Sequence, residues 1–392
     1  MKPSPYPRDL REFIVRLEKA GRLHRVAGHG RGLRSKGGPM LSTLLTLFGW
    51  LFFLAASLHA QESPIEKLRR LPPKERETRL IEGAKREGEV MWYGNWERDE
   101  LDQLARSFKK KYPFINVSIF RGGSGKVEDK VVIEYRAGRY LVDILIAGTG
   151  KMLPFRERGI IAPYFSPETA NMHPALYDKE GWWASLASSP VVIGFNTERL
   201  PAQEAPKDWP DLLEPKWKGK IGLDTEPDVM VTGLLQAWGE ERTLKFMRAL
   251  AQNQPQIRNG HTLLVQLLAA GEFPIAAEIY GYRVAQFIAK GAPIRMVYPK
   301  PTIFTTSPIL MAKHPPHPYA AALLYDSLLS EEGQNVVGMD IGRVSGRKQA
   351  KSRNPEFAKL QESDHFLALD PGLVGRRTRD AQRWIKEIFL KR

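Results

Sequence analysis

The fold is decided by residues 89–148, EVMWYGNWERDELDQLARSFKKKYPFINVSIFRGGSGKVEDKVVIEYRAGRYLVDILIAG. Three short apolar runs in this segment predict strands, at residues 89–93, 115–120 and 142–148. Between the first two runs, Leu101, Leu104 and Phe108 recur on one face of a predicted amphipathic helix. A second helical segment follows RGGSG. Strands that alternate with helices of this length predict βαβ units and a mostly parallel sheet.

The alternation continues into a second predicted sheet. The apolar run PVVIGFN, residues 190–196, predicts a buried strand, and the Pro- and Trp-rich segment after it indicates a crossing between lobes. Further strands are predicted at residues 220–224, 274–280 and 293–299. We therefore predict an α/β clamshell with two hinge crossings. Its lobes are residues 61–195 with 304–392, and residues 196–303, and a ligand would lie in the cleft between them.

Composition and charge exclude several classes of protein. The 392 residues carry a formal net charge of +15, from 59 Lys and Arg against 44 Asp and Glu. Residues 1–60 contribute +7 of this excess, and the remaining +8 is spread out without runs of five or more like charges, so we expect no nucleic-acid partner. The chain contains no Cys, which excludes disulfides, Cys-metal sites, thiol nucleophiles and a lipid anchor on Cys.

An uncharged apolar segment at residues 37–60 predicts an export signal. Arg34 and Lys36 precede it, and Ala60 supplies the small residue expected at a cleavage site. Cleavage would release the protein into the periplasm, which is the location we expect. Retention of the segment would instead make the chain a membrane-anchored ligand sensor. Residues 1–36 exceed the usual basic start of a signal peptide, and we interpret this N-terminal extension as either a gene-fusion scar or an over-extended start.

Several pieces between about residues 80 and 350 carry a family resemblance through their shared order and spacing. They include EGAKREGEVMWYG (82–94), FKKKYPFINVSIFRGGSGK (108–126) and AAGEFPIAAEIYGYR (269–283). Together these pieces resemble the type II periplasmic binding proteins of the ferric-iron type. The stretch DLREFIVRLEKAGRLHRV (9–26) resembles the start of the 4-hydroxybenzoate decarboxylase family instead, but it covers too little of the chain to indicate function.

The resemblance to periplasmic binding proteins implies a receptor for a small solute. Such a receptor delivers its ligand to an ABC importer, so the implied partner is a permease in the inner membrane. The resemblance implies no catalysis and no resident cofactor; ferric iron would be a transported ligand. We expect the protein to be a monomer.

Loops after the predicted strands of the first lobe supply the first candidate ligand-binding residues. Backbone N–H groups at a Gly-rich turn into a helix suit an oxyanion, with added hydroxyl and guanidinium donors; the alternative is a plain tight turn with a Ser cap. The candidates in this lobe are Tyr93, Gly94, Asn95, Arg121, Ser124, Gly125 and Thr149.

The second lobe offers acidic and aromatic candidates. Asp224, Thr225 and Asp228 follow a strand and precede a helix, where capping of that helix is as good an interpretation as ligand contact. Tyr280 and Tyr282 would lie on one face if both were in a strand.

Members of the ferric-ion type of this family use adjacent tyrosines as phenolate ligands at this point, so Tyr280 and Tyr282 are also candidate metal ligands. Ferric iron further requires carboxylate or imidazole ligands, and the first loop offers Glu97 but no His. We therefore favour an organic or anionic ligand over bare iron, with Arg283 as a possible partner of its carboxylate or phosphate.

An exported hydrolase is the competing enzyme interpretation. Such an enzyme requires a nucleophile with a base, and the sequence contains neither G-x-S-x-G nor H-E-x-x-H. The HPPHP stretch at residues 314–318 predicts a rigid surface turn, because its two His do not have the i, i+4 spacing of a helical metal site. Binding of a solute is therefore the favoured function.

Overall fold

The computed structural model describes residues 64–390, in which strands and helices alternate as the hydrophobic pattern predicts. The strands are β1 (Glu89–Gly94), β2 (Asn116–Arg121), β3 (Ile144–Ile146), β4 (Ile161–Ala162), β5 (Ala184–Asn196), β6 (Ile221–Asp224), β7 (Gln256–Arg258), β8 (Ile275–Tyr280), β9 (Ile294–Val297), β10 (Thr302–Ala312), β11 (Val344–Ser345) and β12 (Phe366–Ala368).

The α-helices are α1 (Pro64–Arg69), α2 (Pro73–Glu87), α3 (Arg98–Lys111), α4 (Ser124–Arg136), α5 (Met152–Glu157), α6 (Asp228–Trp238), α7 (Glu240–Gln252), α8 (His261–Ala269), α9 (Gly281–Ala289), α10 (Pro318–Leu329), α11 (Glu331–Asn335), α12 (Pro355–Gln361) and α13 (Pro371–Ile385). Short 3-10 helices lie at Thr149–Lys151, Pro167–Asn171, Pro174–Leu176, Trp209–Leu213 and Pro215–Trp217. Two segments are π-helical, Val336–Ile341 and Lys386–Leu390.

The first sheet has the strand order β2-β1-β3-β10-β5. β1 pairs in parallel with β2 and with β3, whereas β10 runs antiparallel to β3 and β5. The short strands β4, β11 and β12 pair with β10 or β5. Because β1, β2 and β3 are parallel, the loops that follow them leave the same edge of the sheet.

The second sheet has the order β5-β8-β6-β7, with β9 also paired to β5. β6 pairs in parallel with both β7 and β8, so the loops after β6 and β8 also share one edge. β5 belongs to both sheets and is buried over its whole length of 13 residues. Its first half pairs with β10, and its second half, from Val191, pairs with β8 and β9.

Each sheet has its own hydrophobic core, as expected for two lobes. Trp92, Leu104 and Leu324 belong to a core around the first sheet, and Trp209 and Met230 belong to a core around the second. The chain passes from one sheet to the other within β5 and again between β9 and β10. The predicted α/β clamshell of two lobes is confirmed.

The C-terminal helix α13 contacts both lobes. The sequence placed it with the first lobe, as part of residues 304–392. Trp384 and Ile385 share a core with Trp209 of the second lobe, whereas Gly375 packs closely against Leu153 on α5 of the first lobe. The exact lobe boundaries remain a prediction.

The predicted export signal at residues 37–60 and the extension at residues 1–36 lie outside the described residues. Within residues 64–390, no helix combines the length and the apolar character that a membrane span requires.

Candidate functional site

A cavity of about 520 Å³ lies where the loops of the two sheets face each other. It is bounded on the first-lobe side by Asn95, Trp96, Ser124, Gly125, Thr149 and Lys151, and on the second-lobe side by Glu226, Asp228, Tyr280 and Tyr282. A hollow of about 560 Å³ opens elsewhere, beside Glu89 at the amino end of β1. Ligands of open α/β sheets bind beyond the carboxyl ends of the strands, so the cavity between the lobes is the candidate site.

The first-lobe wall presents hydrogen-bond donors at the start of α4. Ser124 is the first residue of this helix, and its Oγ accepts a hydrogen bond of 2.8 Å from Asn95 Nδ2. The N-cap residue, Gly123, has no side chain, and the first turn of α4 contains no acidic residue. The positive end of the helix dipole and its first N–H groups are therefore available at the cavity.

Thr149 extends this wall from the loop after β3. It begins a short 3-10 helix, and its hydroxyl donates to the carbonyl oxygen of Thr306 at 2.8 Å. This bond ties the loop that follows β3 to β10, so both strands hold this part of the wall in place.

Two parallel tyrosine rings form much of the second-lobe wall. The ring centroids of Tyr280 and Tyr282 are 6.1 Å apart, and the ring planes differ by 16°. The sequence interpretation used strand geometry for this pair, but β8 ends at Tyr280 and α9 begins at Gly281. Glycine is required between them, because a Cβ at Gly281 would lie 2.8 Å from Pro190 Cγ on β5. Close packing of α9 against β5 thus brings both rings to the cavity.

Tyr280 is backed by a buried charged cluster. Its ring stacks on that of His261 with centroids 4.4 Å apart. His261 Nε2 lies 2.8 Å from Glu278 Oε2, and Nδ1 lies 3.7 Å from Asp224 Oδ2. Burial and the nearby carboxylates of Glu278 and Asp228 raise the pKa of Tyr280 well above its usual value. The phenol is therefore held in its neutral form.

Glu278 is the most constrained member of the cluster. Its side chain is 0% exposed, its backbone φ is +59°, and its Oε1 has no hydrogen-bond partner. Burial raises the pKa of Glu278 to about 7, outweighing the opposite effect of His261. For His261, burial lowers the pKa but attraction to Glu278 and Asp224 prevails, raising it to about 9. Both shifts make the folded protein hold protons that the unfolded chain would release.

Asp224 shapes the loops around this cluster. Its carboxylate accepts hydrogen bonds from the backbone N–H groups of Glu226 at 2.9 Å and Gly260 at 2.8 Å, and from the Thr225 hydroxyl at 3.3 Å. These bonds fix the start of α8, where His261 is located, and the loop before α6.

Arg343 connects the two walls and was not identified from the sequence. Its guanidinium lies 4.1 Å from the ring centroid of Trp96 and 4.3 Å from that of Tyr282. It also forms an ion pair of 2.8 Å with Glu100 on α3. Trp96 in turn donates to Ser307 Oγ at 3.1 Å. No local motif marks Arg343, since its partners lie far away in sequence.

The cavity brings together seven of the residues singled out in the sequence: Asn95, Ser124, Gly125, Thr149, Asp228, Tyr280 and Tyr282. The remaining candidates lie outside its lining: Tyr93, Gly94, Arg121, Asp224, Thr225 and Arg283. A ligand contact by any of these six stays a prediction.

Most of those six have other partners. The Tyr93 hydroxyl donates to Glu134 inside the first lobe, and Gly94 packs against Leu101. Arg121 forms an exposed ion pair with Glu97 at 2.8 Å, and Arg283 donates to Gln286 at 2.8 Å. In the HPPHP stretch, His317 lies 2.9 Å from Asp143, where it anchors the start of α10.

The fold and the cavity together define a class of protein that encloses a small solute between two lobes. Residues 140–359 match the family described as bacterial extracellular solute-binding protein. The chain therefore belongs to this family. Its members are solute-binding proteins and not enzymes, so the chain is a solute-binding protein.

The chain is similar to a curated relative and to two solved structures. The chain is 26% identical over 173 residues to the Fe(3+)-binding periplasmic protein of Serratia marcescens, a match that spans 43% of this chain and 50% of that protein. It resembles the crystal structure of iron-bound HitA from Pseudomonas aeruginosa with a TM-score of 0.67 and 21% identity, over 76% of this chain and 99% of that one. It also resembles the structure of AfuA from Actinobacillus pleuropneumoniae with fructose-6-phosphate bound. The TM-score is 0.64 and the identity 22%, over 78% of this chain and 99% of that one. The two structures establish the type II periplasmic binding fold.

Proposed function

We propose that this chain is the periplasmic substrate-binding component of an ABC importer, acts as a monomer, and captures a small organic anion in the cavity between its lobes. Its partner is a permease in the inner membrane, to which closure around the ligand delivers the solute. The structure bound to fructose-6-phosphate and the relatives with periplasmic names support this proposal by analogy.

The start of α4 carries the preference for an anion. Ser124 and Gly125 line the cavity at this helix end, where neither a capping side chain nor an acidic residue neutralises the dipole. α9 also begins at the cavity without a side-chain cap and without an acid in its first turn. Helix N-termini of this kind bind phosphate and carboxylate groups, because backbone N–H groups and the dipole both favour negative charge.

Ferric iron is the second candidate, favoured by the parallel pair of Tyr280 and Tyr282 at the cavity and by the iron-binding names of relatives. Two observations favour an organic anion over ferric iron. The pKa of Tyr280 is raised, which disfavours the phenolate that would bind iron. In addition, residues 64–390 contain no group of three or more His, Cys, Asp or Glu side chains suited to a metal ion.

A thermal-shift screen tests the proposed class of ligand. Phosphorylated sugars, phosphonates, carboxylates, polyamines and ferric citrate would each be added to the mature protein. A true ligand at a hundredfold excess over its Kd should raise the free energy of unfolding by about 2.7 kcal/mol, because it binds the folded state alone. We expect the strongest shifts from organic anions. Stabilisation by ferric salts alone would contradict the proposal.

Replacing Ser124 by Ala tests the position of the anionic group. The change removes one hydroxyl at the cavity while preserving α4, so the best anion of the screen should bind roughly tenfold more weakly by calorimetry. Ser118→Ala, a serine beside the hollow at the other end of the first sheet, is the matched control. Equal affinities for wild type and Ser124→Ala would refute contact of the anion with this helix end.

The double variant Tyr280→Phe/Tyr282→Phe separates the two candidate ligands. It removes both phenolic oxygens and keeps both rings, so it should abolish any visible charge-transfer absorption with ferric salts. We expect wild-type protein mixed with ferric salts to show no such band. A coloured wild type that loses its colour in the double variant would establish the iron alternative instead.

A further inference from the structure

The basic side chains around the cavity are paired with carboxylates, whereas its acidic side chains form no ion pairs among the described residues. Lys151 and Arg343 line it, but each is already paired with a carboxylate: Lys151 Nζ lies 2.6 Å from Glu128, and Arg343 lies 2.8 Å from Glu100. In the part of the chain that the structure describes, neither Glu226 nor Asp228 takes part in an ion pair. The cavity therefore carries surplus negative charge, although its first-lobe wall is suited to an anion.

The surplus charge lies on one wall. Asp228 is the first residue of α6 and Glu226 belongs to the loop before it, so both are on the second-lobe side. The uncapped start of α4, with Ser124, lies on the first-lobe side of the same cavity. Burial raises the pKa of Asp228, and this effect outweighs the opposing attraction of His261.

The groups behind the second-lobe wall do not remove the imbalance. His261 attracts Asp228 electrostatically, but it is shared among Glu278, Asp224 and Asp228. Three carboxylates thus surround one imidazole.

We infer that the ligand is a small zwitterion, with its anionic group at the start of α4 and a protonated amine between Asp228 and Glu226. This inference rests on the proposed function and specifies its class of solute. Such a ligand neutralises both walls at once. A purely anionic ligand would face two carboxylates that have no ion-pair partner on the opposite wall.

Calorimetry with two matched pairs of probes tests the inference. The pairs are 2-aminoethyl phosphate with ethyl phosphate, and 3-aminopropionate with propionate; each pair differs by a single amine. We expect the aminated member to bind on the order of 30-fold more tightly, because a protein carboxylate left without its cation is costly. In Asp228→Asn/Glu226→Gln, both members of a pair should bind with affinities within about threefold of each other.

Controls address folding and specificity. Glu241→Gln neutralises an exposed acid on α7, outside the cavity lining, and should leave the preference for the amine unchanged. Glu226→Gln alone changes an exposed residue, so it should fold normally and retain an intermediate preference. Thermal unfolding of each variant without ligand verifies that it is folded.

Failures of the inference and of the proposed function are distinguishable. The zwitterionic ligand is refuted if ethyl phosphate or propionate binds as tightly as its aminated partner. It is also refuted if the preference for the amine survives neutralisation of both acids. In either case the proposal of an organic anion stands. If none of the four probes binds while other organic anions of the screen do, the zwitterion is again refuted. If ferric salts bind and no organic anion does, both proposals fail.

Discussion

Replacing Arg343 by Met should lower the free energy of unfolding by about 3–5 kcal/mol, because it leaves Glu100 buried without its cationic partner. Arg343 is 9% exposed and Glu100 is 7% exposed, so water cannot replace the lost ion pair. Methionine retains an apolar side chain between Trp96 and Tyr282, which limits the loss of packing. Urea unfolding followed by circular dichroism measures the change.

Two further variants separate the ion pair from general disruption. Arg353→Met removes an exposed arginine that donates to backbone carbonyls, and it should cost under about 1 kcal/mol. Arg343→Met/Glu100→Gln removes both charges and should recover more than half of the loss. A stability of Arg343→Met within about 0.5 kcal/mol of wild type would show that the buried pair does not contribute as predicted.

Stability should fall as the pH rises from about 6 to 9, through the loss of the proton on His261. The pKa of this group is about 9 in the folded protein against about 6.5 in the unfolded chain. Between these values the folded state holds the additional proton, so its stabilisation is complete below pH 6.5 and is lost as the pH passes 9. The difference in pKa corresponds to on the order of 3 kcal/mol.

Titration of Glu278 also makes stability fall as the pH rises, but over a lower pH range than titration of His261. The pKa of Glu278 is raised from 4.5 to about 7 by burial, so the folded state again holds more protons, and stability falls as the pH rises from 4.5 through 7. The two groups are one coupled pair, and the measurable quantity is their combined slope.

Urea unfolding at each pH from 5 to 10 measures this slope. His261→Gln/Glu278→Gln removes both titrating groups and should flatten it, whereas His314→Gln changes an exposed histidine and should not. A wild-type stability that does not change between pH 6 and 9 would mean that His261 is not charged in the folded state.

Local patterns accounted for the sheets and for part of the site. The alternation of strands and helices predicted both lobes, because the period of apolar residues follows directly from backbone geometry. The Gly-rich turn at Ser124 correctly marked the start of a helix. Tyr280 and Tyr282 both line the cavity, but strand alternation is not the reason: a strand-to-helix junction at Gly281 brings the two rings together.

The sequence by itself determined an α/β chain with loops rich in Gly, Ser and Tyr after its strands, since these features depend on neighbours close along the chain. Tertiary structure alone decided that Arg343 lies between Trp96 and Tyr282, that α13 contacts both lobes, and that one imidazole is shared among three carboxylates. The physical reason is that burial and charge pairing depend on residues tens to hundreds of positions apart. Only the folded chain brings those residues within contact distance and removes the water between them.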